Sequence, residues 1–267
     1  MTRNPDDLQS KQALAFAQLL ADIARPIALR YFRAPLDIMC KADRSPVTAA
    51  DHEIESALRQ VIHQRYPHHA IIGEEYGKVR GSNYSWILDP IDGTKSFVMG
   101  NPLFGTLIGL MHEDETVIGL IDVPAMGEQW AGDGQFTRFN NRLNVCSATV
   151  SGCHLIERAR LYATPSPHFT CPDERNAVDT LSRHVAIAHP TCDCYAYGLL
   201  ASGYCDLIVE TGLQPYDYLP VVPIVEGAGG WITDWKGRQP GLNSDGRIVA
   251  AASKPLLDAA IDSLMRL

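Results

Sequence analysis

Two aspartates three residues apart, Asp89 and Asp92, close the apolar run in WILDPIDGTKSF (86–97), and Gly93, Thr94 and Lys95 follow at once. Carboxylate and carbonyl oxygens are the hard ligands that Mg²⁺ prefers. A strand that reaches Asp89-Pro90 is expected to stop there, because proline cannot extend a ladder, and the chain then turns toward a helix start. Such a turn can aim both carboxylates, with the Ile91 carbonyl between them, at one point. Gly93 lets the backbone approach a ligand, and the N–H groups of residues 93–95 open a helix N-terminus where phosphate is favoured. The stretch therefore predicts a cation site fused to a phosphate site; its bland alternative is a loop before a capped helix.

Three other segments bear on that choice. GEEYG (73–77) follows the apolar HAII, so Glu74 and Glu75 stand at a strand end as the aspartates do. Paired glutamates there usually mark a solvated turn, but beside Asp89 the first of them, Glu74, is a candidate ligand. In KADRSPVTAAD (41–51), Thr48 reads as a helix N-cap with Asp51 near N3, or Asp51 reads as the acceptor for a hydroxyl. QPYDYLP (214–220) sets Asp217 at a helix start, where a carboxylate is favoured on any account.

The elements that must position these residues follow from periodicity. Phe16, Leu20, Ile23, Ile27 and Tyr31 predict a helix over about 7–33, kinked at Pro26, and Ile54, Leu58, Val61 and Ile62 predict a second that ends before Pro67. Strands are expected at 69–72, 85–88, 106–112 and 116–123, the last two joined by the turn 113–115, with short strands in EQWAG and QFTRF. After about residue 150, strands alternate with helices. The expected organisation is an antiparallel lobe over 1–150 that carries most candidate ligands, and an alternating lobe over 151–267 that completes the site, in stacked layers.

Bulk properties narrow the classes. The chain has 267 residues, 46% hydrophobic and 20% charged, enough for a sizeable core. A net charge of −8 argues against a nucleic-acid surface. It does not exclude an anionic substrate, since carboxylates that hold divalent cations invert the local field. The start, MTRNPDDLQSKQALAF, lacks a signal-peptide pattern and no apolar run approaches a bilayer span, so a cytoplasmic protein with no membrane partner is expected. Seven cysteines, an odd number, fit reduced thiols, and Cys192 and Cys194 lack the second Cys/His pair of a zinc site. His63, His68, His69, His184 and His189 read as surface or packing residues, and Phe104 and Trp130 as core by default.

The motifs SPVTAAD, GEE, LDPIDGTKSF and YD…EGAGG, in that order and approximate spacing, resemble the inositol-monophosphatase-like family of Mg²⁺-dependent, lithium-sensitive phosphatases over nearly the whole chain. The resemblance implies an α+β fold, a layered αβαβα sandwich of the inositol monophosphatase and fructose-bisphosphatase type, and commonly a homodimer. It implies that Glu74, Asp89 and the Ile91 carbonyl hold one Mg²⁺, that Asp89, Asp92 and Asp217 hold a second, and that Glu74 helps to place a third. Thr94 paired with Asp51 would orient the attacking water, and Gly93 and Thr94 would offer backbone N–H groups to a phosphate flanked by Asp92 and Asp217.

Family resemblance leaves open inositol phosphates, fructose bisphosphate, adenosine bisphosphate and histidinol phosphate. Residues 191–230 look more like the histidinol-phosphate phosphatase branch: Asp193 stands in CDCY where inositol enzymes tend to carry small residues, Tyr216 replaces the usual Trp, and Pro220 and Pro223 fall in the following helix. A substrate with an ammonium and an imidazole gives added carboxylates a purpose, which makes Asp193 and Glu210 candidates for recognition. The alternative for Asp193 is an N-cap of the helix that begins near Tyr195. The expected function is hydrolysis of L-histidinol phosphate in histidine synthesis, with an inositol or sugar phosphatase as the alternative. A catalytically silent phosphate-binding protein is a third reading, and the intact set Asp51, Glu74, Asp89, Asp92, Thr94 and Asp217 argues against it.

Overall fold

Ala13, Phe16, Ala17, Leu20, Ala21, Ala24 and Ala28 recur three and four apart and are all buried, which gives the helix Pro5–Tyr31 (α1) one continuous apolar face. The computed structural model describes residues 5–35, 39–40, 46–81, 83–163, 171–190 and 192–265; residues 41–45 of the segment ending at Asp51 lie outside them. A short antiparallel pair, Met39–Cys40 (β1) and Pro46–Val47 (β2), precedes the helix Ala49–Arg65 (α2).

Helices α1 and α2 cover one face of an eight-stranded sheet. Its strands are Ala70–Gly73 (β3), Gly77–Val79 (β4), Tyr84–Asp92 (β5), Gly105–His112 (β6), Glu115–Val123 (β7), Glu128–Gly132 (β8), Thr137–Asn141 (β9) and Val145–Ser147 (β10), in the order β10-β9-β8-β7-β6-β5-β3-β4. Thr94–Val98 (α3) follows β5 directly. The second sheet has Arg160–Ala163 (β11), Ile187–Pro190 (β12), Leu207–Glu210 (β13), Trp231–Asp234 (β14) and Ile248–Ala251 (β15), ordered β12-β11-β13-β15-β14. Between the sheets lie Cys194–Ala201 (α5), Pro215–Tyr218 (α6) and Val222–Gly227 (α7), and on the outer face lie Pro172–Ser182 (α4) and Lys254–Met265 (α8). The layers run αβαβα, as expected. The largest core fills the space between the sheets, where Ile87, Leu107 and Ile121 meet Leu200, Ile208, Val225 and Ala250.

Three local departures from expectation matter for the site. The first sheet is not wholly antiparallel: β3 and β5 are parallel, because the chain reverses into β4 and reverses again before β5. β5 also does not stop at Pro90. Asp89 pairs with Leu107 and Asp92 with Gly105, so Pro90 and Ile91 stand opposite Thr106 alone, a β-bulge. The missing proline N–H falls where the ladder is already interrupted, and the Thr106 hydroxyl donates to the Pro90 carbonyl at 2.9 Å. Finally, Pro220 and Pro223 do not lie in one helix: the chain forms α6, then α7 with Pro223 in its first turn, where a proline needs no N–H.

The joint between α6 and α7 is seated on a row of glycines. Gly109, Gly119 and Gly132 are cross-strand partners on β6, β7 and β8. A Cβ on Gly119 would come within 1.8 Å of the Pro220 carbonyl oxygen, one on Gly132 within 2.7 Å of the Pro223 oxygen, and one on Gly109 within 3.2 Å of Pro220 Cα. The sheet thus admits the backbone of 220–224 at van der Waals contact, and this close seating places Asp217. Phe104 and Trp130 are 1% exposed and belong to the core. Among the described residues, no helix is long and apolar enough to cross a membrane.

Gly119→Ala should therefore overpack the joint and lower unfolding stability in urea by about 1–3 kcal/mol. Gly241→Ala, with nothing within 4 Å of its added carbon, is the matched control and should leave the midpoint in place. Equal midpoints for the two variants would show that the row does not seat the joint.

Candidate active site

In a regular strand, side chains three residues apart face opposite sides of the sheet. The bulge at Pro90 and Ile91 inserts one residue and brings Asp92 round to the side of Asp89. Asp217, in the first turn of α6, completes the group: one oxygen from each of Asp89, Asp92 and Asp217 lies within 4.8 Å of the others. Glu74 follows β3 with its N–H donating to the Leu88 carbonyl at 3.2 Å. It is not one of those three, but its charge and a hydrogen bond act on Asp89.

Asp92 and Asp217 each have one oxygen tied to a backbone N–H. Asp92 Oδ2 accepts the Cys194 N–H at 2.5 Å, and Asp217 Oδ2 accepts the Gln214 N–H at 2.7 Å. Asp51, fully buried at N3 of α2, closes a capping box in which its Oδ2 accepts the Thr48 N–H at 2.8 Å and the Thr48 hydroxyl at 2.6 Å. The second oxygens are another matter: Asp51 Oδ1 and Asp89 Oδ1 are buried with no hydrogen-bond partner. An unpaired buried carboxylate oxygen is strongly unfavourable unless a cation or water meets it.

Electrostatics carry the same message. Burial first, then the charges of Glu74, Asp92 and Asp217, push the Asp89 carboxyl well above its ordinary value. Burial and then Asp193 and Asp217 do the same to Asp92, and burial with Glu74 and Glu210 pushes Asp217 up to about 7. Burial also raises Asp51, with Glu75 adding and the Thr48 hydrogen bonds opposing. The orphaned oxygen of Asp89 and an all-oxygen donor set fit a hard divalent cation.

The expected contact between Thr94 and Asp51 is not made. Thr94 Oγ1 donates to the Ile91 carbonyl at 3.0 Å, a local bond three residues back, while Asp51 is engaged by Thr48. Gly93 is left-handed at φ 80 and opens the five-residue helix α3. The capping role of Asp193 is also corrected: it occupies the N-cap position of α5, but its side chain makes no capping bond. Its backbone, at φ 52 and ψ −145, lies in a region populated almost solely by glycine. Its carboxylate instead takes the Ser96 hydroxyl at 3.2 Å and sits 2.7 Å from where a Cβ on Gly93 would stand. Burial raises its pKa, with Ser96 and the Lys95 charge opposing. Glu210, at the end of β13 and 4% exposed, accepts the Tyr197 hydroxyl at 2.7 Å. Burial pushes the Cys192 thiol up to about 12 and raises Cys194 well above its ordinary value, so both stay protonated.

Two residues that bear on this region were not among the sequence candidates. Ser96 holds Asp193 from across the chain. Glu55 lies one turn beyond Asp51 on α2, completely buried, with the Glu75 N–H at 2.7 Å. The available signal was the spacing Asp51, Glu55, Arg59 at every fourth residue.

The family model described as the inositol monophosphatase family matches residues 9–266. Among curated proteins, the chain is 41% identical to the chloroplastic bifunctional phosphatase IMPL2 of Arabidopsis thaliana, covering 98% of this chain and 78% of that one. It is 35% identical to the histidinol-phosphatase of Chlorobaculum parvum, covering 89% and 91%. Among solved structures, it is similar to an inositol monophosphatase from Zymomonas mobilis with a TM-score of 0.85 and 38% identity, covering 95% of this chain and 98% of that one.

The raised carboxyls make a pH signature. Asp217 titrates near 7 when folded against an ordinary value of 3.8, so between those values the native state binds the extra proton and stability falls as pH rises. Asp89 and Asp92 shift in the same direction. EDTA-treated protein should melt higher at pH 5 than at pH 8, and excess Mg²⁺ should raise the pH 8 melting temperature more. A flat profile that Mg²⁺ does not alter would show that the carboxylates are not crowded in solution.

Proposed function

The chain belongs to the inositol monophosphatase family, and from that premise we propose that it is a Mg²⁺-dependent phosphatase that hydrolyses L-histidinol phosphate to L-histidinol in histidine biosynthesis. The observation that carries the substrate assignment is the Asp193 carboxylate, held on a glycine-like backbone against Gly93. Phosphate recognition has no use for another anion there, whereas a cationic leaving group does. The histidinol-phosphatase named among the relatives supports the same reading.

Glu74, Asp89 and the Ile91 carbonyl would hold one Mg²⁺, Asp89, Asp92 and Asp217 a second, and Glu74 would help to hold a third. Uncatalysed phosphate-monoester hydrolysis is so slow that the site must lower the barrier by about 20 kcal/mol or more. When bound, the ions supply the charge that acidifies the attacking water and neutralises the leaving oxygen.

The chain's own groups orient the reactants. Asp51, anchored at Oδ2 by Thr48, presents Oδ1 as the acceptor for the water's proton. Thr94 fixes the Ile91 carbonyl through its hydroxyl and, with Gly93, turns backbone N–H groups toward the phosphate at the start of α3. Asp193 and Glu210 receive the ammonium and imidazole of the leaving group. A charge-assisted hydrogen bond in a partly desolvated pocket is strong, and a neutral polyol offers those carboxylates no opposite charge.

A second reading, the same chemistry on inositol 1-phosphate or a related sugar phosphate, is favoured by the likeness to the inositol monophosphatase at 38% identity. The two separate on substrate. Purified protein with Mg²⁺ should release phosphate from L-histidinol phosphate faster than from inositol 1-phosphate or β-glycerophosphate at equal low concentration, and the reverse order would discard the leaving-group assignment.

Two variants test the residues. Asp92→Asn should abolish turnover of every ester while circular dichroism shows the fold intact; near-normal activity would remove the two-ion assignment. Asp193→Ala should slow histidinol phosphate about 10- to 100-fold more than β-glycerophosphate, the worth of a hydrogen bond to a charged group. Equal losses would leave Asp193 without a part in recognition.

A further inference from the structure

Helix α2 carries two stripes. Ile54, Leu58 and Ile62 are buried in the core under the first sheet, while Asp51, Glu55 and Arg59, four apart, follow a second line along the helix. Asp51 is the proposed acceptor for the water's proton, its Oδ1 buried without a hydrogen-bond partner. Glu55, completely buried one turn later, has a use that the mechanism above does not assign.

Its carboxylate is the hub of the loop between β3 and β4. Oε2 accepts the Glu75 N–H at 2.7 Å, and Oε1 accepts the Tyr76 N–H at 3.1 Å and Arg59 Nε at 2.7 Å. The Arg59 guanidinium then reaches the Gly77 carbonyl, which closes the clamp at the far end of the loop. At the near end, a Cβ on Gly73 would come within 2.2 Å of Glu55 Oε1, so the carboxylate occupies the space that a side chain at 73 would need. Glu74 lies between these anchors, its own N–H tied to Leu88, the residue before Asp89. Both its neighbours in the chain rest on Glu55, so the direction in which it leaves the backbone is set from α2.

Resting on the reading that Glu74 is a cation ligand, we propose that Glu55 is a positioning residue for divalent-cation binding: by clamping residues 73–77 it holds Glu74 toward Asp89 and thereby sets the affinity for the ion. Outer partners that orient a ligand carboxylate typically change metal affinity about 10- to 100-fold when removed. One helix then supplies both the water's acceptor, through Asp51, and the orientation of a ligand, through Glu55.

The test is Mn²⁺ binding to the full chain without substrate, followed by electron paramagnetic resonance of the free ion, for wild type, Glu55→Gln, Gly73→Ala and the double variant. Glu55→Gln keeps the shape but sets an amide N–H₂ against its donors; Gly73→Ala displaces the carboxylate from the other side. Each should weaken Mn²⁺ binding about 10-fold or more. The double variant should be no weaker than the poorer single, since both break one contact. Phosphate release should need more Mg²⁺ for half-activation and reach the wild-type kcat at saturation. If Glu55→Gln does not fold, Gly73→Ala carries the measurement alone. Folded variants that bind Mn²⁺ as wild type does, with only urea stability reduced, would overturn the proposal and leave Glu55 a structural clamp. Wild type that holds no Mn²⁺, or Glu74→Gln that holds it equally well, would instead overturn the cation reading on which it rests.

Discussion

Mutual repulsion among crowded carboxylates is the constraint on which this structure turns. Asp89, Asp92 and Asp217 would separate if their backbones allowed it, since like charges in a low-dielectric site repel strongly. The fold denies them that relaxation by rigid means. A bulge turns Asp92 to the side of Asp89, and three glycines in register let the segment after Asp217 press against the sheet. Neither device is a specific charge interaction; each spends packing and backbone geometry to hold charges in place.

The same local grammar serves twice. Asp51 and Asp217 both stand at N3 of a helix and both accept the N–H of the N-cap residue with Oδ2. A capping bond of this kind fixes the carboxylate plane while using only one oxygen. Asp92 reaches the same state through the Cys194 N–H, donated from the start of α5. A site that binds cations or water needs acceptors that are immobile yet not saturated, and half-satisfied carboxylates meet both demands. The orphaned Oδ1 atoms of Asp51 and Asp89 are this principle at its most exposed in energy, though buried in space.

What was legible in the sequence was what local pattern encodes. Helical spacing of apolar residues placed α1 and α2, short apolar runs placed β6 and β7, and Thr48 with Asp51 announced the capping box. The ligand candidates stood out because short polar motifs interrupt apolar strands. What escaped depends on partners remote in sequence. The course of β5 through Pro90 needs Gly105 and Thr106 opposite it, so proline alone misled. The N-cap alternative for Asp193 falls only when Ser96 and Gly93, about a hundred residues earlier, are seen against its carboxylate. Thr94 chose a carbonyl within its own turn over a carboxylate on another helix. Glu55 was hidden by its setting, since a glutamate on the polar side of an amphipathic helix ordinarily faces water.

On the proposed reading, discrimination between substrates follows from the excess of negative charge. Asp193 adds to the repulsion at Asp92, and Glu210 adds to that at Asp217. Metal ions held among Asp89, Asp92 and Asp217 would relieve one side of the cluster, and Asp193, on which the Lys95 charge also acts, would with Glu210 face the leaving group. An ammonium or imidazolium arriving there would offset the desolvation cost of those carboxylates and their repulsion toward the ligand set in one step. A neutral polyol of the same size relieves neither. Shape complementarity would then be secondary: a pocket with an excess of negative charge would select the cationic leaving group.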